Sequence, residues 1–281
     1  MILIAGGSQD PNINAVHAVL ESSGDDFIRL NTDTLAIHFD VNDCEVYAGP
    51  HKLEFDAMYA RPNVFMPNTA TNAERLAQSV WYDTLIAYCI ASGKRIVNSR
   101  HTFERTAKVR NLLWAKECGF TLPRTYVTEQ PTKASDGFSY IQKPVLGGSH
   151  TLAVESITEA LSNGPVFLQE RLLDYDMRIY AIGDTVVAFY MQSPSVDYRE
   201  LQDAVVVHIE DISVYEPYIE PLRQLAGRLK LDYCCVDLKK NKEDETYSFL
   251  EINTLPMHAA FDAKCGMALS QAIRDLLYAD N

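Results

Sequence analysis

Cys234-Cys235-Val236-Asp237-Leu238-Lys239-Lys240, the charged turn Asn241–Thr246, and Tyr247-Ser248-Phe249-Leu250-Glu251-Ile252-Asn253 form the stretch on which the fold turns. Both apolar flanks read as strands, and the turn between them closes a hairpin. Folding at the middle of that turn puts Asp237 opposite, or one off, Glu251. Side chains alternate along a strand, so Glu251 and Asn253 share one face while Leu250 and Ile252 take the other. Three oxygen-bearing side chains then converge on one patch. A structural hairpin does not require facing carboxylates, which repel each other. A divalent cation removes the repulsion, and hard oxygen ligands suit Mg²⁺, which commonly combines one or two carboxylates with substrate phosphates. The alternative is a merely solvated charged face.

Working outward, the phosphate partners such a metal needs are sought among the cations. Lys143 ends a strand-like run and is followed by Gly147-Gly148-Ser149. An ammonium beside flexible backbone N–H groups suits a polyphosphate, although Gly-Gly-Ser is also an ordinary turn. The spacing fits neither a Walker-A loop nor a dinucleotide fingerprint. Lys108, early in a helix over Ala107–Cys118, is a second candidate. Gln169-Glu170 close the apolar strand Val166-Phe167-Leu168, where backbone edges can hydrogen-bond an adenine. Glu170, Asp174 or Asp176 can reach ribose hydroxyls. Arg178 and Arg199 are further cations in an acidic chain, each with an alternative reading as a surface ion-pair partner.

The 281 residues carry 25 Lys+Arg against 38 Asp+Glu, a formal net charge of -13. That balance, with no basic run, argues against binding nucleic acid, whose affinity rests on neutralising phosphates. No apolar run reaches the ~20 residues of a membrane span. Cys44, Cys89, Cys118, Cys234, Cys235 and Cys265 form no Cys-x-x-Cys pair and read as reduced, buried thiols of a cytoplasmic protein.

The first third reads as α/β: strand Ile2–Ala5, a Gly6-Gly7 turn, helix Asn14–Ser22 and strand Phe27–Leu30. A small hairpin (Val46–Ala48 with Lys52–Phe55), a strand ending at Ala60 and a long helix Glu74–Ala91 follow. That helix has an apolar stripe of Leu76, Val80, Leu85, Tyr88 and Cys89. From Tyr126 to Val187 the chain reads mostly as β, with a short helix at Ile157–Ser162. Glu216–Leu229 and Met267–Ala279 are the last helices.

Taken in order, these pieces resemble the ATP-grasp superfamily of carboxylate–amine ligases. The set is Lys108, Gln-Lys-Pro with a glycine loop, Gln169-Glu170, Asp176-x-Arg178, Asp197-Tyr198-Arg199 and Val-Asp-Leu…Leu-Glu-Ile-Asn. It covers about residues 98–281. Within the superfamily the chain is most similar to the ribosomal-protein glutamate ligase branch and the microviridin-type peptide macrocyclases. Arg29-Leu30-Asn31-Thr32-Asp33, Tyr59-Ala60-Arg61-Pro62, Val97-Asn98 and Val196-Asp197-Tyr198-Arg199 point there. It departs from both groups after Asn253, where Thr254–Phe261 replaces their glycine-containing stretches, which leaves the acceptor open.

The resemblance implies an N-terminal parallel-sheet α/β domain over 1–98. A two-lobed grasp would follow over 99–281, with lobes of about 99–170 and 171–281. It implies transfer of the γ-phosphate of ATP to a carboxylate, then attack on the acylphosphate by an amine or hydroxyl. Lys108, Lys143, Gly147, Gly148, Gln169, Glu170, Leu172 and Asp176 would bind the nucleotide. Asp237, Glu251 and Asn253 would hold Mg²⁺, or Mn²⁺ in its place, and Arg199 and Arg178 would stabilise developing charge. His258 as a general base is not favoured, since a lone loop histidine is more often a bystander. A peptide or protein is the expected substrate. Free amino acids or small acids, or a nucleotide-binding module without catalysis, are the alternatives. Homo-oligomerisation stays open, and no membrane or nucleic-acid partner is expected.

Overall fold

The structure, a computed structural model, describes residues 1–34, 36–98, 107–129, 138–144, 152–154, 165–192, 205–244 and 246–279. The expected helix at 157–162, the glycines 147 and 148, and Arg199 lie outside them.

The strands β1 (Ile2–Gly6), β2 (Phe27–Asn31), β6 (Ala57–Ala60) and β7 (Arg95–Ile96) form a parallel sheet in the order β2-β1-β6-β7. Helix α1 (Pro11–Ser22) makes the first crossover and α2 (Asn72–Ala91) the last. Strands β3 (Ile37–Asp40), β4 (Glu45–Ala48) and β5 (His51–Lys52) form a small antiparallel sheet inserted between β2 and β6. After α3 (Ala107–Glu117) come β8 (Thr125–Thr128), β9 (Tyr140–Pro144), β10 (Leu152–Val154) and β11 (Val166–Glu170). They make an antiparallel sheet in the order β10-β9-β11-β8. The largest sheet is also antiparallel, β14-β13-β12-β15-β16. Its strands are β12 (Tyr175–Ile182), β13 (Thr185–Gln192), β14 (Val205–Ile209), β15 (Tyr233–Lys240) and β16 (Tyr247–Asn253), with α4 (Glu216–Leu229) leading into β15. Two short elements end the chain, α5 (Ala259–Asp262) and α6 (Ala268–Tyr278).

One core joins the first and the largest sheet. Ile2, Ile4 and Tyr59 of the former pack with Tyr180, Phe189 and Tyr233 of the latter, through Ile13 and Val16 of α1 and Leu269 and Ile273 of α6. The other face of the large sheet buries Met177, Ile179, Val236 and Leu238 under Leu222 and Leu225 of α4.

Three sequence expectations are corrected. Helix α1 begins at Pro11, with Asp10 as its N-cap and the proline in the first turn, the position where a missing N–H costs nothing. On α2 the buried residues are Leu85 and Cys89, whereas Leu76 and Val80 are exposed. That helix buries only its C-terminal half, against Phe39 of β3 and Phe55 of the loop between β5 and β6. Finally, Phe249 rather than Leu250 shares the core with Ile252. The β15–β16 register shifts between Asp237 and Leu238, so Glu251 faces Asp237 while Phe249 faces Leu238. Leu250 is the extra residue of a bulge, which breaks the alternation.

The thiols divide. Cys89, Cys234 and Cys235 are buried, but Cys44 is exposed. Burial pushes the Cys89 and Cys234 thiols up to about 12 and keeps both protonated and unreactive. Among the described residues, no helix is long and apolar enough to cross a membrane.

Candidate active site

The site grows from a two-rung charge ladder between β12 and β15. Asp176 pairs in register with Lys239 and Arg178 with Asp237. Positions two apart on a strand share a face, so Asp-x-Arg meets Asp-x-Lys with alternating sign. Arg178 grips Asp237 bidentately, Nε to Oδ1 at 2.6 Å and Nη2 to Oδ2 at 2.8 Å. Lys239 Nζ reaches both Asp176 oxygens, at 3.1 and 3.0 Å. Asp176, Arg178 and Lys239 are buried.

Next on the same face, Glu251 stands opposite Asp237, and Asn253 donates through Nδ2 to Asp237 Oδ2 at 2.8 Å. Among the described residues no donor takes up the Asn253 side-chain oxygen in that orientation. Lys108, one residue into α3, comes within 3.5 Å of Glu251 Oε2. It is carried there because α3 runs on into Thr121, whose carbonyl accepts the Phe249 N–H, with Phe120 packed on Phe249. Glu251 is the open member of the set, 42% exposed against 17% for Asp237.

Lys143 enters from β9 of the antiparallel sheet β10-β9-β11-β8. It donates to Gln169 Oε1 at 2.9 Å, and Gln169 in turn donates to Thr125 Oγ1 at 3.1 Å. Burial pushes the Lys143 ammonium below the ordinary lysine range. The charge of Glu251 opposes that shift, Lys108 and Lys239 add to it, and Asp237 opposes it again. Among the described residues four basic side chains (Lys108, Lys143, Arg178 and Lys239) therefore stand with three carboxylates (Asp176, Asp237 and Glu251).

The segment that links β11 to β12 lies beside this cluster. The N–H groups of Glu170, Arg171 and Leu173 are taken by Arg124, Ser139 and Lys240. Among the described residues that of Leu172 has no acceptor, as a base-binding backbone edge requires. Leu172 and Gln169 are buried, while Glu170 accepts from the Arg124 N–H at 3.3 Å.

Sequence reasoning passed over Lys239. The signal that finds it is the Asp-x-Lys spacing on β15 answering Asp-x-Arg on β12. Lys239→Met leaves Asp176 buried without its cation and is expected to destabilise the fold by about 3 kcal/mol. Adding Asp176→Asn should recover most of that loss in urea unfolding.

The Thr254–Phe261 stretch is clamped from below. Arg61 donates to Pro256 O at 3.0 Å and pairs with Asp10 at 3.2 Å. Asn12 Oδ1 accepts from the His258 N–H at 2.7 Å, and Tyr180 and Tyr233 donate to the Met257 and Pro256 carbonyls. Asn98, at a positive φ of 59, donates to both Tyr233 O and Thr254 O. His258 is fully buried between Tyr233 OH at 2.9 Å and Ser270 Oγ at 3.3 Å. Burial and the nearby Arg61 charge push its pKa down to about 3, so it is a neutral structural residue.

The lowered value has a signed consequence. Between pH 6.5 and about 3 the unfolded chain binds a proton at this position that the folded chain does not. Stability therefore falls as pH drops through that window, by up to about 1.4 kcal/mol per pH unit. His258→Gln should flatten the dependence of the urea midpoint on pH below 6.5.

The donor set fits a hard divalent cation: two facing carboxylates and one amide oxygen on a single face. Among the described residues no group of three or more His, Cys, Asp or Glu could hold a metal ion; this set counts two carboxylates and one amide.

A parallel α/β sheet, an antiparallel sheet bearing Lys143, and a large antiparallel sheet bearing the carboxylates together make the fold of the ATP-grasp ligases. Among solved structures, the ATP-grasp ligase PsnB complexed with a minimal precursor matches with a TM-score of 0.78 and 21% identity, over 98% of each chain. The macrocyclase MdnC of Microcystis aeruginosa MRC, bound with precursor peptide MdnA, matches at 0.76 and 19% over 99% of each chain. A RiPP-associated ATP-grasp ligase of Chryseobacterium gregarium, in complex with ADP and a leader and core peptide, matches at 0.70 and 19%, over 98% of this chain and 96% of that one. No protein-family model and no curated protein matches the sequence.

Proposed function

We propose that the chain is an ATP-dependent ligase that activates a carboxylate as an acylphosphate and joins it to an amine or hydroxyl of a peptide. The observation that carries this reading is the convergence of Lys108, Lys143 and Arg178 with Asp237, Glu251 and Asn253 on one face of this fold. Support for the peptide comes from the neighbours, whose structures hold precursor peptides; one of them also holds Mg and ADP. We keep residues 1–98 and 99–281 as the two domains of the proposal.

In this reading Lys143 and Lys108 hold the phosphates, and the Leu172 N–H meets the base. Asp237, Glu251 and Asn253 hold Mg²⁺, which supplies charge neutralisation at the phosphates when bound. Phosphoryl transfer needs positioning and charge stabilisation more than covalent help. Arg178, which holds Asp237 through both carboxylate oxygens, would face negative charge that develops beside that carboxylate. Arg199, with Gly147 and Gly148, belongs to the proposal on the sequence pattern alone.

ADP release from the purified protein with ATP and Mg²⁺, measured across acceptors, tests the reading. Stimulation by peptides but not by free amino acids is expected, with loss in Asn253→Ala. Stimulation by free amino acids alone would replace the peptide by a small molecule. Equal release by the Asn253→Ala variant would remove the site.

A further inference from the structure

Asn98 follows β7 in the first third of the chain, yet its side-chain hydrogen bonds go to the base of the β15–β16 hairpin. The ladder of that hairpin ends at the pair Cys235 and Asn253. One step beyond, where the chain bends away at Thr254, the Asn98 carboxamide stands in for the next rung. Its Oδ1 accepts from the N–H groups of Asp232 at 2.8 Å and Tyr233 at 2.9 Å. Its Nδ2 donates to Tyr233 O at 2.7 Å and to Thr254 O at 2.6 Å. A carboxamide has two donors and two acceptor sites, and here all four are used. The Asn98 N–H completes the junction by donating to Asp232 Oδ2 at 3.0 Å.

The position is demanding. Its φ of 59 is left-handed, a region that Asn, Asp and Gly enter readily and most other residues rarely. Asp offers the two acceptors without the donors, and Gly offers neither. Asn meets both the backbone conformation and the four bonds. Asn98 is 3% exposed and Tyr233 0%, so water does not replace a lost bond, and its loss leaves a buried backbone group unpaired.

The bond to Thr254 O lies one residue from Asn253. Asn253 is the last residue of β16: the ladder holds it on one side, and Asn98 holds the Thr254 peptide group on the other. Its side chain is aimed at Asp237 Oδ2, at 2.8 Å, so a swing of the strand end moves that amide away from the carboxylates. Glu251 sits inside the ladder, opposite Asp237. Fraying of the strand end therefore reaches Asn253 first.

We propose that Asn98 is a positioning residue for the divalent-cation site: it fixes the Thr254 end of β16 and so sets the Asn253 carboxamide against Asp237 and Glu251. The first third of the chain thereby contributes to a site whose ligands all lie in the last third. The metal in this statement rests on the ligase reading; the bonds of Asn98 do not. The test is calorimetric titration of ADP into the full chain over a series of Mg²⁺ concentrations, beside urea unfolding. Asn98→Gly keeps the backbone conformation and loses all four side-chain bonds, whereas Asn98→Asp keeps the acceptors and loses the donors. Both should bind ADP without Mg²⁺ within about twofold of the wild type, and both should need about tenfold more Mg²⁺ to tighten it. Asp232→Ala removes the acceptor of the Asn98 N–H and leaves the carboxamide bonds, so it loosens the same junction without releasing Thr254. Its Mg²⁺ requirement should stay that of the wild type. Amide exchange in the wild type needs no variant: coupling is reciprocal, so adding Mg²⁺ to the ADP complex should slow exchange of the Asp232 and Tyr233 N–H groups about tenfold. Unchanged exchange, a folded Asn98 variant with the wild-type Mg²⁺ requirement, or an Asp232→Ala shift as large as that of Asn98→Gly would each overturn the proposal. Wild-type ADP affinity indifferent to Mg²⁺ would remove the metal site and this proposal with it. A wild-type Mg²⁺ dependence shared in full by the Asn98 variants would leave the site standing and sink this proposal alone.

Discussion

Glu251→Gln is expected to keep the fold and to lower acceptor-stimulated ADP release about a hundredfold or more. The two halves of that result have different causes. Glu251 is 42% exposed and its only described ion-pair partner, Lys108, is 37% exposed at 3.5 Å. Such a pair contributes little to stability, so the urea midpoint should shift by no more than about 0.5 kcal/mol. The carboxylate charge is what a facing-carboxylate metal site uses, and the neutral amide removes it at constant shape. A large loss of turnover with an unmoved midpoint is the signature of a ligand role. Full turnover in this variant would show that Glu251 is an ordinary solvated residue.

Asp237→Ala should be the more damaging change, because it acts on stability and chemistry together. Asp237 is the bidentate partner of Arg178, at 2.6 and 2.8 Å, and also accepts from Asn253. Removing it takes the bidentate carboxylate away from a buried guanidinium, a loss of about 3 kcal/mol, and also removes a proposed metal ligand. A second substitution separates the effects. Adding Arg178→Met should return much of the stability in urea unfolding, yet none of the Mg²⁺-dependent nucleotide binding. Recovery of both would mean that the pair is structural only.

The hairpin was the most legible part of the molecule. Its strands follow from composition, and folding at the middle of its turn put Asp237 opposite, or one off, Glu251; the structure pairs the two directly. The bulge at Leu250 was not legible: it arises from packing Phe249 on Phe120, a partner far away in sequence. The α2 stripe misled for a related reason. Spacing marks an apolar face, but Leu76 and Val80 lie beyond the reach of the small sheet that covers Leu85 and Cys89. The start of α2, read at Glu74, lies at Asn72, where Thr71 and Glu74 form a capping box.

Of the candidate site, Lys108, Lys143 and Arg178 were singled out by their order along the chain, and the structure places Lys108 beside Glu251 and Arg178 on Asp237. Lys239 was missed because a lysine next to a lysine carries no signal until the strand paired with it is known. The clamp under Thr254–Phe261 was beyond sequence reasoning altogether. Its members Asp10, Asn12, Arg61 and Asn98 are polar residues near strand or helix ends, and only the tertiary fold turns them into partners for one loop.

The account stands most directly on a calorimetric titration of ADP into the protein with and without Mg²⁺, which needs no knowledge of the acceptor. Binding that weakens about tenfold or more when Mg²⁺ is withdrawn, and that loses this Mg²⁺ dependence in Glu251→Gln, is the expected result. Nucleotide affinity indifferent to both the metal and Glu251 would contradict it.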